Sequence, residues 1–370
     1  MKVIVSGGGT GGHIYPALSI IKEIKKHEPD SQFLYVGTAN GLEADIVHKA
    51  GIPFRTIDIT GFKRKISLHN LKTVYRFIKS TSLSKQIIKR FQPDIVIGTG
   101  GYVCGPVVYA ASRLSIPTLI HEQNVIPGLA NAFLARHVSA VAVSFEGSTE
   151  HFRSDNLYVT GNPRASEVVE ADGQKGRESL GIPPHKKVVL IVGGSRGAEA
   201  INRAFVEMSD NISQMSDCHF VYVTGQIHYS KVKEQLADRL NNLTNLTVKP
   251  FIYNMPDVLA GTDLIVNRAG ASFLAEITAL GLPSILIPSP YVTNNHQEKN
   301  ARWLEREGAS KVILEKELTG QRLWNTLREL LDNEPLLDKM RKASLNLGKP
   351  EAANQIYQLI KRLTADHAQS

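Results

Sequence analysis

His13 closes a run of bare backbone, SGGGTGGH over residues 6–13, and the apolar stretch IYPALSII follows at once. Glycines let main-chain N–H groups approach an anion closely, and a helix start behind them adds the positive end of its dipole. A neutral imidazole placed there can take a proton from a hydroxyl. The same residues also suit a tight strand-to-helix turn whose histidine merely lines it. A second polar cluster, HEQN at 121–124, directly follows an apolar run; its side chains either reach a ligand or brace the loop, and Glu122 reads as a brace. In the second half, NRAGASFLAE sets a glycine turn before a helical pattern that contains Glu276. Amides of such a turn can meet a phosphate while the carboxylate holds a ribose diol.

Gly7, Gly9 and Gly12 fit the dinucleotide fingerprint GxGxxG, which also requires an acidic residue at the end of the second strand. Here that strand runs FLYVGTANG with no carboxylate before Glu43, so a nicotinamide cofactor is disfavoured. The chain has no DxD pair; a divalent clamp on a nucleotide diphosphate lacks its usual ligands, and neither a metal nor a cofactor is expected. Charge on a leaving group would then be met by helix ends, arginine and hydroxyls.

The elements that must position these residues repeat. KVIVSGGGTGGH at 2–13 echoes VVLIVGGSRGA at 188–198, FLYVG at 33–37 echoes FVYVTG at 220–225, DIVIGTGG at 94–101 echoes DLIVNRAG at 263–270, and IPTLI at 116–120 echoes LPSIL at 282–286. Near-continuous Val/Ile/Leu strands alternating with amphipathic helices predict a parallel sheet covered on both faces. The fold class is therefore α/β, with two Rossmann-like doubly wound domains facing across a cleft, because ligands of open sheets sit beyond the carboxyl ends of the strands. The expected domains are 1–163 and 164–344, joined through a Gly-, Pro- and charge-rich linker at 161–184, with a C-terminal helix in 345–370 packing back on the first domain. Two cysteines far apart, Cys104 and Cys218, argue against a disulfide framework and for a reducing cytoplasm. The first residues are too short an apolar run for a signal peptide, and no stretch is apolar enough to span a bilayer.

Charge is unevenly placed. The net charge is +8, yet residues 61–90 hold nine Lys or Arg and no acid, leaving 34 basic and 35 acidic residues elsewhere. An anionic partner is expected for that segment. Within it Leu68, Leu71, Val74, Tyr75 and Ile78 recur at helical spacing among Lys72, Arg76 and Lys79, the pattern of a basic amphipathic helix whose apolar side either packs on the core or meets a surface. A nucleic-acid partner is disfavoured, since the interleaved aromatics are only Phe62, Tyr75 and Phe77.

Taken in order, GGGTGGH at 7–13, GTGGYVCGP at 98–106, HEQN at 121–124, GNPR at 161–164, GGSRGA at 193–198, RAGAS at 268–272 with Glu276, and NHQEKNA at 295–301 resemble the MurG family. These are the UDP-N-acetylglucosamine transferases that convert lipid I to lipid II in peptidoglycan synthesis. The resemblance spans nearly the whole chain and implies a GT-B fold and inverting, metal-independent transfer of GlcNAc from UDP-GlcNAc to the C4 hydroxyl of MurNAc in undecaprenyl-diphospho-MurNAc-pentapeptide. It implies His13 as the base; Gly7, Gly8, Gly9, Tyr102 and His121 on the acceptor; and Thr10, Gly11, Gly12, Asn124, Arg164, Ser195, Ile252, Ala271, Ser272, Glu276 and Gln297 on the donor. It further implies peripheral attachment to the cytoplasmic face of the cell membrane, with the anionic surface met by Lys63, Arg64, Lys65, Lys72, Arg76 and Lys79, and other cell-wall synthesis proteins as partners. The same scaffold also serves other GT-B transferases and UDP-sugar 2-epimerases, which remain the alternative.

Overall fold

The computed structural model describes residues 1–61, 68–194, 197–240 and 242–368. Two compact units divide the chain: Met1–Arg164 with Glu351–Ser370, and Ala165–Pro350.

In the first unit seven parallel strands take the order β3-β2-β1-β4-β5-β6-β7: β1 Lys2–Ser6, β2 Gln32–Gly37, β3 Phe54–Thr56, β4 Ile95–Gly98, β5 Thr118–Glu122, β6 Ala140–Val143 and β7 Leu157–Val159. The second sheet has six, in the order β10-β9-β8-β11-β12-β13: β8 Lys187–Val192, β9 Cys218–Val223, β10 Leu246–Lys249, β11 Leu264–Asn267, β12 Ser284–Leu286 and β13 Ser310–Val312. The sequence repeat maps strand for strand, since β1 lies between β2 and β4 as β8 lies between β9 and β11. The four repeat pairs together supply β2, β1, β4 and β5 in one sheet and β9, β8, β11 and β12 in the other. Both faces of each sheet are apolar because helices cover both, which is why these strands read as continuous Val/Ile runs.

Helices of the first unit that bear on the site are α1 Gly11–His27, α2 Leu42–Lys49, α3 Leu68–Phe91, α4 Cys104–Ser112 and α5 Leu129–Leu134. Helix α1 begins two residues before His13, so Pro16 falls inside it rather than in its first turn, and the Gly12 carbonyl loses the donor that residue 16 would give. In the second unit the relevant helices are α6 Glu199–Met208, α7 Ala271–Ala279 and α8 His296–Arg306. The last helix, α9 Ala352–Ala368, buries Ile356, Tyr357, Leu359 and Ile360 in the core that contains Val3, Ile14 and Ile97 of the first unit.

The segment expected to be a linker is packed instead. Ala165 and Val168 are buried, and the helix Gly173–Ser179 backs onto Met255–Ala260 so closely that a Cβ at Gly176 would lie 2.1 Å from the Asp257 carbonyl oxygen. Gly173 and Gly176 serve backbone-to-backbone contact, not flexibility.

Candidate functional site

The loop between β1 and α1 is held at every early position. The Tyr35 hydroxyl donates to the Gly7 carbonyl at 2.6 Å, the Gly8 N–H donates to the Gly100 carbonyl at 3.2 Å, and the Gly9 N–H donates to Glu43 Oε2 at 3.1 Å. Gly9 needs its glycine, having φ +81. The amides of Thr10, Gly11 and Gly12 have no partner among the described residues, and Thr10 and Gly12 are exposed. The anion-facing amides of this turn are therefore the last three, at the start of α1.

His13 is half-buried, and its Nδ1 lies 2.8 Å from the Gly8 carbonyl oxygen. A carbonyl only accepts, so Nδ1 carries the proton and the neutral ring keeps its lone pair on Nε2. Thr10 Oγ1, 3.3 Å from Nδ1, stands beside that bond. The ring rests on the second glycine turn, Thr99–Gly101: Gly100 has φ +102, and a Cβ there would sit 2.8 Å from His13 Cδ2 and 3.1 Å from Nε2. Thr99 Oγ1 donates to the His13 carbonyl at 2.8 Å, tying that turn to α1. The aromatic ring of Tyr102, at the end of this turn, passes Gly9 on one side and Gly61 on the other, with more than a third of the residue exposed. Cys104 just beyond is no nucleophile, because burial pushes its thiol up to about 12.

Behind these turns lies the HEQN loop at the end of β5. The buried Glu122 accepts from Asn124 N at 3.0 Å, Asn124 Nδ2 at 3.2 Å, Gly128 N at 3.0 Å and Asn131 Nδ2 at 2.9 Å, which makes it the loop's brace. His121 differs from expectation. It is fully buried, its Nε2 donates to the Gly161 carbonyl at 2.9 Å, and its Nδ1 accepts from Gln123 Nε2 at 3.0 Å, so neither nitrogen is left for a substrate. Burial holds its basicity below the usual imidazole range, outweighing the Gly161 carbonyl and Glu122, which favour the charged form. Gln123, which the sequence reading passed over, links the loops by donating to the Thr99 carbonyl at 2.8 Å. Asn124 is half-buried at the loop's rim, and the Arg164 guanidinium lies 5.8 Å from the centre of the Tyr15 ring on α1.

In the second unit the turn after β8 contains Gly194 at φ +94 and Gly197 at φ +73; Ser195 lies outside the described residues. Gly270 caps α7, and Ser272 Oγ in its first turn is buried without a hydrogen-bond partner among the described residues. Glu276 and Ala271 are buried on the same helix, and Ile252, in the loop after β10, is buried between the exposed Phe251 and Tyr253. Two side chains of α8 fix the surrounding turns: Gln297 Oε1 accepts from Ser289 N at 2.9 Å, and Asn300 Nδ2 donates to the Ala269 carbonyl at 3.3 Å. Asn294 and Asn295, both left-handed at φ 57 and 51, turn the chain into α8. Arg268 faces away from this turn, bonded to Glu315 and to the Ile287 carbonyl.

The first unit thus gathers Gly8, Gly9, His13, Gly100 and Tyr102 around one turn, with an imidazole able to take a proton and three amides able to hold an anion. The second gathers a helix start bearing a buried hydroxyl, a buried carboxylate and a glycine turn.

Residues 3–143 match the glycosyltransferase family 28 N-terminal domain, and residues 188–361 the family 28 C-terminal domain. A relative from Bacillus cereus, the UDP-N-acetylglucosamine–N-acetylmuramyl-(pentapeptide) pyrophosphoryl-undecaprenol N-acetylglucosamine transferase 1, is 58% identical over 98% of this chain and 99% of its own length. The crystal structure of Acinetobacter baumannii MurG aligns with a TM-score of 0.79 at 30% identity, covering 98% of this chain and 99% of that one. A UDP-GlcNAc 2-epimerase from Neisseria meningitidis shares the fold, with a TM-score of 0.67 at 17% identity over 98% and 100% of the two chains. The chain belongs to glycosyltransferase family 28 and, within it, to the MurG transferases.

Proposed function

We propose that this chain transfers GlcNAc from UDP-GlcNAc to the C4 hydroxyl of MurNAc in undecaprenyl-diphospho-MurNAc-pentapeptide, with inversion and without a metal, giving lipid II for peptidoglycan synthesis. The observation that carries this reading is the full-length 58% identity to the Bacillus cereus transferase. The epimerase alternative rests on fold alone at 17% identity and is not favoured.

In the reaction, the muramoyl O4 attacks the anomeric carbon as UDP departs, and O4 must lose its proton. His13 Nε2 takes it, while the Gly8 carbonyl holds the Nδ1 proton and stabilises the imidazolium that forms. Gly9 and the Tyr102 ring offer the acceptor surface; Gly7 and Gly8, expected on the acceptor, are instead buried beneath it with their main-chain bonds already made, and His121 supports that surface through Gly161 and Gln123. Thr10, Gly11, Gly12, Asn124 and Arg164 serve the donor, with the N–H groups of Thr10 to Gly12 directed at negative charge. In the second unit Ile252 borders the uracil, Glu276 holds the ribose, Ala271 and Ser272 present amides and a hydroxyl to the diphosphate beside Ser195, and Gln297 holds sugar hydroxyls. Charge developing on the leaving UDP is met by the start of α7.

The acceptor is a polyprenyl lipid, and α3 is the segment suited to its bilayer. Val74, Tyr75 and Ile78 are 45%, 67% and 64% exposed beside Lys72, Arg76 and Lys79. The apolar surface continues through Phe77, whose ring meets Phe133 edge-on, to the exposed Leu129 on α5. Among the described residues no helix is long and apolar enough to cross a membrane, so peripheral attachment at the cytoplasmic face is the fitting mode. Lys63, Arg64 and Lys65, assigned to the same surface, lie outside the described residues. Other proteins of cell-wall synthesis are expected partners there.

Thermal stabilisation by UDP-GlcNAc and UDP, set against ADP and NAD with and without chelator, tests the donor class. Mass spectrometry of the product formed with lipid I tests the reaction. Stabilisation by the uridine compounds alone and a GlcNAc-extended lipid are expected; stabilisation by NAD, or release of free N-acetylmannosamine, would contradict the proposal.

A further inference from the structure

Glu43 is the acid that the dinucleotide fingerprint wants at the end of β2, arriving late and turned the other way. It is the second residue of α2, fully buried, and its carboxylate lies under the glycine loop instead of projecting toward a ligand. Oε1 accepts from Thr38 N at 3.0 Å and Thr38 Oγ1 at 2.6 Å, and Oε2 accepts from Gly9 N at 3.1 Å. Three glycines make room for it: a Cβ at Gly8 would lie 2.6 Å from its Cδ, one at Gly37 2.8 Å from its Cγ, and one at Gly41 2.3 Å from its Oε1. Among the described residues no lysine or arginine contributes to this arrangement, and amide and hydroxyl donors meet the charge. Burial by itself would raise the carboxyl, but the Thr38 hydroxyl and the amides of Gly9 and Thr38 outweigh it and hold the group ionised, below the usual range.

The consequence passes along the loop to the imidazole. Glu43 packs on Gly8 and binds the amide of Gly9; the carbonyl of Gly8 binds His13 Nδ1. That peptide is clamped from both ends, and its orientation decides which nitrogen of His13 carries the proton.

We propose that Glu43 is a positioning residue for transfer: it locks the Gly8–Gly9 peptide so that its carbonyl faces His13 Nδ1, fixing the tautomer that presents the Nε2 lone pair to the acceptor hydroxyl. It also takes the amide that a dinucleotide pyrophosphate would need at Gly9, and so helps reject such cofactors. The first part rests on the transferase reading of His13.

Glu43→Gln keeps the shape but sets an NH2 group against the Thr38 or Gly9 donors. The measurements are kcat and KM for UDP-GlcNAc and lipid I, thermal denaturation, and the ¹⁵N shifts of the His13 ring. Expected are a fall in kcat of about tenfold or more, since displacements of about 1 Å can cost ~10²-fold, a KM for UDP-GlcNAc within about twofold, and a His13 ring averaging between tautomers where the unaltered protein holds the Nδ1–H form. Thr38→Val, which removes a single donor to Oε1, should move kcat and the shifts the same way to a smaller extent, and it serves if Glu43→Gln fails to fold. Folded variants with unchanged kcat and an unchanged Nδ1–H tautomer would overturn the inference. Failure of the unaltered protein to transfer GlcNAc would instead count against the proposed function, and the tautomer comparison would still decide the role of Glu43.

Discussion

The carbonyl of Gly8 gives His13 its chemical definition, because it commits one ring nitrogen and leaves on the other the lone pair that the proposed transfer uses. That definition depends on the turn beneath the ring. Gly100→Ala would put a Cβ 2.8 Å from His13 Cδ2 in a backbone conformation at φ +102; the expected outcome is a loss of about 1–3 kcal/mol of stability in denaturant unfolding together with a fall in kcat. Stability and turnover both matching the unaltered protein would show that the ring is not seated there. The positions that stood out in the sequence are those whose type announces chemistry after a glycine run, such as His13, whose proposed role awaits its test, or a brace after a strand, such as Glu122, whose bonds are present. Glu43, Gln123 and Asn300 were given no role there, although the last two stand inside the HEQN and NHQEKNA motifs. Each acts by bonding the main chain of a distant turn, and a backbone carbonyl or amide leaves no mark in the sequence of its partner.

At the scale of elements, α3 shows how a periodic pattern can fix a helix and leave its facing open. Its spacing allowed the apolar side to pack on the core. Instead Val74, Tyr75 and Ile78 lie outward, and Thr73, Ser80, Ser84 and Ile88 are buried. Small hydroxyl residues let α3 lie close to its neighbours, with Ser80 Oγ donating to the Asp58 carbonyl at 2.8 Å. Reversing Lys72 and Lys79 to Glu should weaken binding to anionic vesicles by roughly 1 kcal/mol per charge near the surface, in a salt-dependent manner, while turnover on a detergent-soluble acceptor is retained. Vesicle sedimentation with duplex DNA as competitor reads this out. Binding that ignores both the reversal and salt, or that DNA abolishes, would reject a membrane role for this face. The glycine-rich stretch at 161–184 misled for a related reason, since composition alone cannot tell a glycine that frees the chain from one that admits another backbone.

For the whole molecule, the repeat made two parallel sheets readable in the sequence, because parallel strands buried on two faces are written as uninterrupted apolar runs; the order of the strands is seen only in the fold. The return of the chain to its first unit was expected for a helix within 345–370, and α9 packs there; its periodicity is that of an ordinary amphipathic helix, so its destination is set by complementary surface. Removing residues 351–370 would strip Ile356, Tyr357, Leu359 and Ile360 from that core. With about 1.5–3 kcal/mol per buried side chain, calorimetry should show the transition of the first unit lowered or lost and that of the second little changed. A smaller pH-dependent effect accompanies the docking. The Lys361 ammonium, 2.8 Å from Glu28 Oε1, heads the interactions that hold the Glu28 carboxyl below its usual value of 4.5, ahead of burial, which opposes it, and the Tyr357 hydroxyl. A depressed carboxyl stabilises the fold above pH 4.5 and loses that contribution as pH falls through its lowered value. Glu28→Gln should therefore cost up to about 1 kcal/mol at neutral pH, the scale of a solvent-exposed pair, and nothing once the acid is protonated. An equal difference at pH 7 and in strong acid would contradict that assignment.

Single-turnover transfer from UDP-GlcNAc to lipid I, measured for the unaltered protein and for His13→Ala with donor affinity followed in parallel, bears most directly on the account. The expected result is a GlcNAc-extended lipid whose rate of formation drops ~10²–10⁴-fold in the variant while the Kd for UDP-GlcNAc stays within about twofold. Equal rates in the two proteins, or loss of donor binding in step with the rate, would contradict it.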